Sequence, residues 1–180
     1  AGIMYDDRDL PAGLDPYFFE DLDAGLEIAA AHDIGLDLVL LDHPWMFSGV
    51  RAMVPDPLTG GAFEARLPRG RAQVLSSEVG RRALFAHVLE PLVRRYGSGG
   101  DRADLAPAIS AYEFMNEPDF VIEEWEEASR QVAAPLPFEV VAGLVTRLSE
   151  VVHRHSAALT TLGCARARNL WAWEDPALGL

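Results

Sequence analysis

Lysine is missing from this 180-residue chain, whose 15 basic residues are all arginine. Schiff-base chemistry and a phosphate-binding P-loop lysine therefore cannot come from it. There is a single cysteine, Cys164, so an internal disulfide is excluded and the redox compartment cannot be read from the thiol. Positive charge is scarce: 28 acidic side chains against 15 basic ones give a formal charge of −13. Such a surface repels polyphosphates, which argues against nucleic acid and anionic membrane as partners. No apolar run approaches the roughly 20 residues that span a bilayer. The start, Ala1-Gly2-Ile3-Met4, lacks the basic-then-apolar profile of a signal peptide and reads as an excised or truncated terminus. Short-period repeats and low-complexity stretches are also lacking.

What is present is ample apolar material, 49% of residues, enough for one globular domain or a segment of a larger one. Asp15 and Pro16 predict a helix start, the first as N-cap and the second where its missing N–H costs nothing. Phe18, Leu22, Leu26 and Ala29 or Ala30 continue at helical spacing until His32-Asp33-Ile34-Gly35. Leu36 to Leu41 is nearly all apolar and too short for a helix, which suits a strand covered on both faces. Residues 46–75, with Pro55, Pro57, Gly60, Gly61, Pro68 and Gly70, read as a long loop. A second helix is expected from Ser76-Ser77-Glu78, with Leu84, Val88, Leu92 and Tyr96 on one stripe, a kink at Pro91 and an end at residues 97–100. Ile109 to Met115 is a second strand, residues 120–134 an acidic insertion of helical character, and residues 138–155 a third helix. That helix turns Val141, Leu144, Val145, Leu148, Val151 and Val152 inward. Residues 158–163 form a third strand, followed by a tryptophan-bearing tail.

Strands joined through helices lie parallel, with right-handed crossovers. This leaves an open doubly wound sheet or a (β/α)8 barrel. The open sheet expects a glycine-rich turn between a strand and its helix. Neither Asp42-His43-Pro44 nor Asn116-Glu117-Pro118 is one. A barrel instead places polar residues at the C-terminal ends of its strands, as happens here twice. The expected fold is α/β: a partial (β/α)8 TIM barrel, residues 1–180 forming one segment of a larger catalytic domain.

Glu117 directly follows an apolar strand, and Pro118 is expected to hold its backbone extended. A carboxyl fixed over a half-apolar cleft is desolvated, which suits a general acid near neutral pH. The same position also suits a structural strand-end carboxylate that caps or salt-bridges. Asp42, His43 and Trp45 end the preceding strand at the same edge. Trp45 suits either plain core cover or stacking on a ring, and Asp42 or His43 the bonding of hydroxyls. Glu123, Glu124, Glu126 and Glu127 read as a solvated face, with Trp125 anchoring the insertion. Glu174 reads as a loop carboxylate. His153 and His155, two apart, do not share a helix face, so no metal site is expected. Cys164 reads as a buried apolar cysteine.

The segment Ala111-Tyr112-Glu113-Phe114-Met115-Asn116-Glu117-Pro118 resembles the end of the fourth strand in retaining (β/α)8 glycoside hydrolases of the clan that holds family 5 cellulases and β-mannanases. Residues 84–97 resemble the helix before that strand in its mannanase- and cellulase-like branch. The likeness spans roughly residues 15–165, with motif content at 84–118. It implies a carbohydrate substrate, no cofactor and no metal, with Glu117 as acid/base and Asn116 on the sugar 2-hydroxyl. It also implies that the three strands are the third to fifth of the barrel, so that the nucleophile glutamate of the seventh lies outside this chain. Glucan, mannan and small glycosides all fit. The competing reading is a non-catalytic carbohydrate-binding or degenerate barrel using Trp45 and the tail tryptophans as stacking surfaces.

Overall fold

A computed structural model of the chain describes residues 2–46, 51–55, 60–66, 71–125, 132 and 134–174. Its centre is a three-stranded parallel sheet in the order β3 (Leu36–Val39), β6 (Ile109–Asn116), β7 (Leu159–Gly163). The strands are adjacent, parallel and in sequence order, as the intervening helices require. The helices are α1 (Pro16–Ala31) before β3, α3 (Glu78–Leu84) and α4 (Glu90–Tyr96) between β3 and β6, and α5 (Phe138–His155) between β6 and β7.

The helix boundaries follow their local chemistry. Asp15 caps α1 by accepting a 2.9 Å hydrogen bond from the Tyr17 amide, with Pro16 at the first helical position. Ser77 caps α3 through the Gly80 amide at 3.0 Å. Glu124, expected on a solvated face, is exposed but accepts from the Phe138 amide at 2.9 Å, where α5 begins. A carboxylate there satisfies an orphan N–H and complements the helix dipole. The second helical stretch departs from α geometry just before Pro91. A π-turn over Phe85–Leu89 joins α3 to α4 and carries the Glu90 amide back to the Phe85 carbonyl. A proline ring clashes with the carbonyl four residues before it, here that of His87, and a widened turn is one way to relieve this.

Side chains alternate along β6. Tyr112 and Phe114 are fully buried. Thr160, level with Tyr112 on β7, bonds Ser149 of α5 at 3.1 Å, which fixes the helix-facing side of the sheet. Val141, Leu144, Val145, Leu148, Val151 and Val152 of α5 are all buried, as their spacing predicts. Each fully buried side chain of this kind contributes about 1.5–3 kcal/mol. The expectation that residues 36–41 are covered on both faces does not hold: Asp37 and Val39 are exposed, Val39 by 52%. Among the described residues β3 pairs on one side only.

Two further departures concern segments rich in turn residues. An antiparallel hairpin of β1 (Ile3–Tyr5) and β2 (Pro11–Leu14) precedes α1. Residues 46–75, read as loop, contain a second hairpin of β4 (Arg51–Pro55) and β5 (Ala62–Arg66), and then helix α2 (Ala72–Ser76). Pro55, Gly60 and Gly61 stand at strand ends and beside the turn, so they punctuate this hairpin without interrupting it. A 3-10 turn, Pro118–Phe120, leads into the acidic insertion, whose described residues 121–125 are turn and bridge and not the expected helix, with Ile122 paired to Leu136. Glu126 and Glu127 lie outside the described residues. No helix among those described is long and apolar enough to cross a membrane.

A charge network ties α1 to α4 and the segment after it. Asp23 accepts from Arg95 at 2.5 Å and from the Tyr96 hydroxyl at 2.6 Å, and Arg102 stands 2.8 Å away. Burial pushes the Asp23 carboxyl up, but the hydrogen bonds from Arg95 and Tyr96 outweigh it and hold it below the usual carboxylate range. Tyr96 is pushed up by burial and by the Asp23 charge. A carboxyl with a depressed folded-state pKa contributes stability above its unfolded pKa, and that contribution is lost as pH falls through the folded value. Asp23→Asn is therefore expected to cost about 1.5–3 kcal/mol at neutral pH, since it leaves the Arg95 guanidinium without its charge partner, while Arg102 keeps Glu27 and Asp104. Its deficit relative to wild type should shrink below about pH 4. Chemical denaturation at pH 7 and pH 3 measures both.

Candidate active site

The C-terminal ends of the three parallel strands bring the site together. Asp42 forms an isolated parallel bridge with Asn116, and the Asn116 amide donates to the Leu41 carbonyl at 3.0 Å. On the other side, the Glu117 amide donates to the Gly163 carbonyl at 2.7 Å. Asp42, His43, Asn116 and Glu117 thus stand at one edge of the sheet, with Gly163 and Cys164 beside them.

Glu117 does not have the extended backbone that Pro118 was expected to impose. It is left-handed, φ 54° and ψ 52°. The proline disfavours the right-handed helical region for the residue before it. Two hydrogen bonds then favour a sharp turn over extension: Glu117 N–H to Gly163, and Phe120 N–H to the Glu117 carbonyl at 3.2 Å. A left-handed non-glycine residue costs roughly 1–2 kcal/mol and often marks a functional position.

The side chains form a chain of contacts. His43 Nδ1 lies 3.2 Å from Glu117 Oε2 and 3.3 Å from Asp42 Oδ1. Its ring packs on Phe120 with centroids 5.0 Å apart. Asn116 Nδ2 donates to Asp42 Oδ1 at 3.1 Å. Asp42 therefore orients the Asn116 amide, and His43 stands between two carboxylates. The Glu117 side chain is 37% exposed, open to a ligand and not enclosed. Trp45 is half-buried and hydrogen-bonds the Tyr5 phenol of β1. Its backbone carbonyl accepts from the Arg71 amide at 2.7 Å. The indole is thus tied to the N-terminal hairpin, at the same edge as Asp42 and beside a cavity of about 780 Å³ that both residues line.

Two residues with a part in this arrangement escaped the sequence reading. Asp119 is fully buried and accepts from the Ala165 amide at 2.6 Å and from Asn169 Nδ2 at 2.5 Å. It clamps the turn after β6 to the segment after β7. Glu113 stands on the open face of β6, where burial, followed by the nearby charges of Asp37 and Asp42, pushes its carboxyl up. An acidic residue inside the apolar run Ala111 to Met115 was its only signal.

The remaining candidates stand apart. Glu174 is exposed beyond the last 3-10 turn, Ala167–Ala172. Trp125 packs against Phe138 and Trp173 at 5.8 and 6.0 Å between ring centroids, which anchors the insertion. Burial, with the charge of Asp119 adding to it, pushes the Cys164 thiol up to about 11, the opposite of an activated nucleophile. His153 is exposed, and His155 Nε2 lies 3.9 Å from Glu90. Among the described residues no group of three potential ligands is placed to hold a metal.

No family model matches the chain, and no curated protein matches it. Its structure is similar to the crystal structure of a β-1,4-D-mannanase from Cryptopygus antarcticus, with a TM-score of 0.62 and 16% sequence identity. The match covers 91% of this chain and 42% of the mannanase chain. A likeness at this identity shows the fold, a partial (β/α)8 barrel.

The left-handed turn yields a direct test. Glu117→Gly and Glu117→Ala both delete the carboxylate, so their difference reports the backbone alone. The glycine variant should be the more stable by about 1 kcal/mol, because glycine adopts positive φ freely. Equal denaturation midpoints would show that Glu117 is not held at positive φ.

Proposed function

We propose that this chain is the part of a retaining β-glycoside hydrolase that carries the general acid/base, Glu117. The observation that supports it most is the placement of that carboxylate. It ends the central parallel strand in a left-handed turn, beside Asn116 and in contact with His43, at the barrel face where such enzymes do their chemistry. The mannanase likeness adds a glycoside hydrolase on the same fold.

In the first step Glu117 gives its proton to the glycosidic oxygen as the bond to the anomeric carbon breaks. A glutamate outside residues 1–180 attacks that carbon and holds the sugar as an ester. In the second step Glu117, now a carboxylate, takes a proton from water as the water displaces the ester. Asn116, oriented by Asp42, is placed for the sugar 2-hydroxyl. His43 fixes the direction of the Glu117 carboxyl. Asp42 holds the Asn116 amide and is assigned no covalent role. Trp45 forms part of one wall of the cleft.

Glu117→Gln in the intact protein should lower turnover of a natural β-glycoside by roughly 10²–10⁴-fold. Aryl glycosides with leaving groups that need no proton should lose far less in the first step. Unchanged turnover of the natural glycoside would exclude this role. Sugar binding without turnover in the wild-type protein would favour the carbohydrate-binding alternative.

A further inference from the structure

We propose that Gly163 is a positioning residue for Glu117, kept as glycine by the Glu113 side chain and not by its own backbone. Three observations meet at this point. The Gly163 carbonyl accepts the Glu117 amide at 2.7 Å, one of the two hydrogen bonds that close the left-handed turn. The backbone of Gly163 is outside the positive-φ region, where Gly2, Gly13, Gly60 and Gly99 stand, so its conformation suits any residue. The space is what excludes a side chain. A Cβ on Gly163 would lie 2.5 Å from Glu113 Oε1 and 3.0 Å from Glu113 Cδ.

A carboxylate at the tip of a flexible side chain normally swings aside at little cost. Glu113 is hindered from doing so. It stands level with Val39 of β3, with Asp37 and Asp42 close enough for their charges to act on it, and swinging away from β7 carries it toward both. Like charges at short range resist that approach. The alternative is for β7 to draw back, which lengthens the Glu117–Gly163 hydrogen bond and turns the Glu117 carboxyl. The pairing between Glu113 and Asn116 on β6 is already irregular where it meets β7. A register break of this kind gives the strand end room to shift. Displacing a catalytic group by about 1 Å costs on the order of 10²-fold in rate.

This inference rests on Glu117 being the acid, so its test has one arm that depends on activity and one that does not. In the intact protein, Gly163→Ala should lower turnover of β-glycosides with poor leaving groups by about 10²-fold. Aryl glycosides with good leaving groups should change little. The double variant Gly163→Ala/Glu113→Ala should regain most of the loss. In parallel, carboxyl-carbon NMR of glutamate-labelled protein follows the Glu117 resonance, assigned by its disappearance in Glu117→Gln. That resonance should move in Gly163→Ala and return in the double variant. Equal losses on both substrate types, no recovery in the double variant, or an unmoved resonance would overturn the proposal. If the wild-type protein hydrolyses no glycoside, the reading of function fails, and the NMR arm alone decides the positioning role. If Gly163→Ala does not fold, a folded double variant supports the clash and an unfolded one refutes it.

Discussion

The hydrogen bond from the Glu117 amide to the Gly163 carbonyl joins the first residue of the turn after β6 to the end of β7. It forms only because β6 and β7 run parallel in a register that places Asn116 opposite Gly163. On the other flank, the bridge between Asp42 and Asn116 brings the turn after β3 to the same height. The site is thus a product of strand register. Parallel pairing with helical crossovers aligns three strand ends on one edge, and these ends deliver Asp42 with His43, Asn116 with Glu117, and the Gly163 carbonyl. Buried Asp119 extends the arrangement by tying the turn after β6 to Ala165 and Asn169.

Stability and chemistry are separated in this chain. The ion network around Asp23, Arg95 and Arg102 links helices and has no contact with the site. Most of the apolar core lies between the sheet and α3, α4 and α5, with Tyr112 and Phe114 on the strand face turned toward them. The opposite face carries Asp37, Glu113 and exposed Val39, so polar groups break into it. Strain is stored where the chemistry is proposed, at the left-handed Glu117, and the surrounding hydrogen bonds hold it there.

Much of this was legible in the sequence because it depended on local rules. The apolar runs of β3, β6 and β7, the Asp15–Pro16 helix start and the inward stripe of α5 follow from periodicity and capping chemistry. The alternation of helix and strand then dictated parallel order. What stayed hidden depended on partners far away in sequence. The rule that a residue before proline is extended failed at Glu117 because Gly163, 46 positions later, supplies a hydrogen-bond acceptor. The hairpin β1–β2 has strands of only three and four residues, too short for an alternation signal. The hairpin within residues 46–75 was hidden by Pro55, Gly60 and Gly61, which stand at or beside its strand ends. Glu113 and Asp119 looked like ordinary carboxylates until the fold set one against Gly163 and buried the other against Asn169.

The assignment of Glu117 as acid/base is decided by the product that an external anion forms in its absence. In the intact Glu117→Ala protein, an aryl β-glycoside with a good leaving group can still form the covalent sugar ester, and azide can then enter the space the carboxylate vacated. Two displacements, each with inversion, give a glycosyl azide that keeps the β configuration. NMR of the product reads that configuration. A β-glycosyl azide, formed by the variant and not by the wild-type protein, is the result expected if Glu117 is the acid/base. An α-glycosyl azide would make Glu117 the nucleophile instead, and no rescue with full wild-type turnover would remove it from the chemistry altogether.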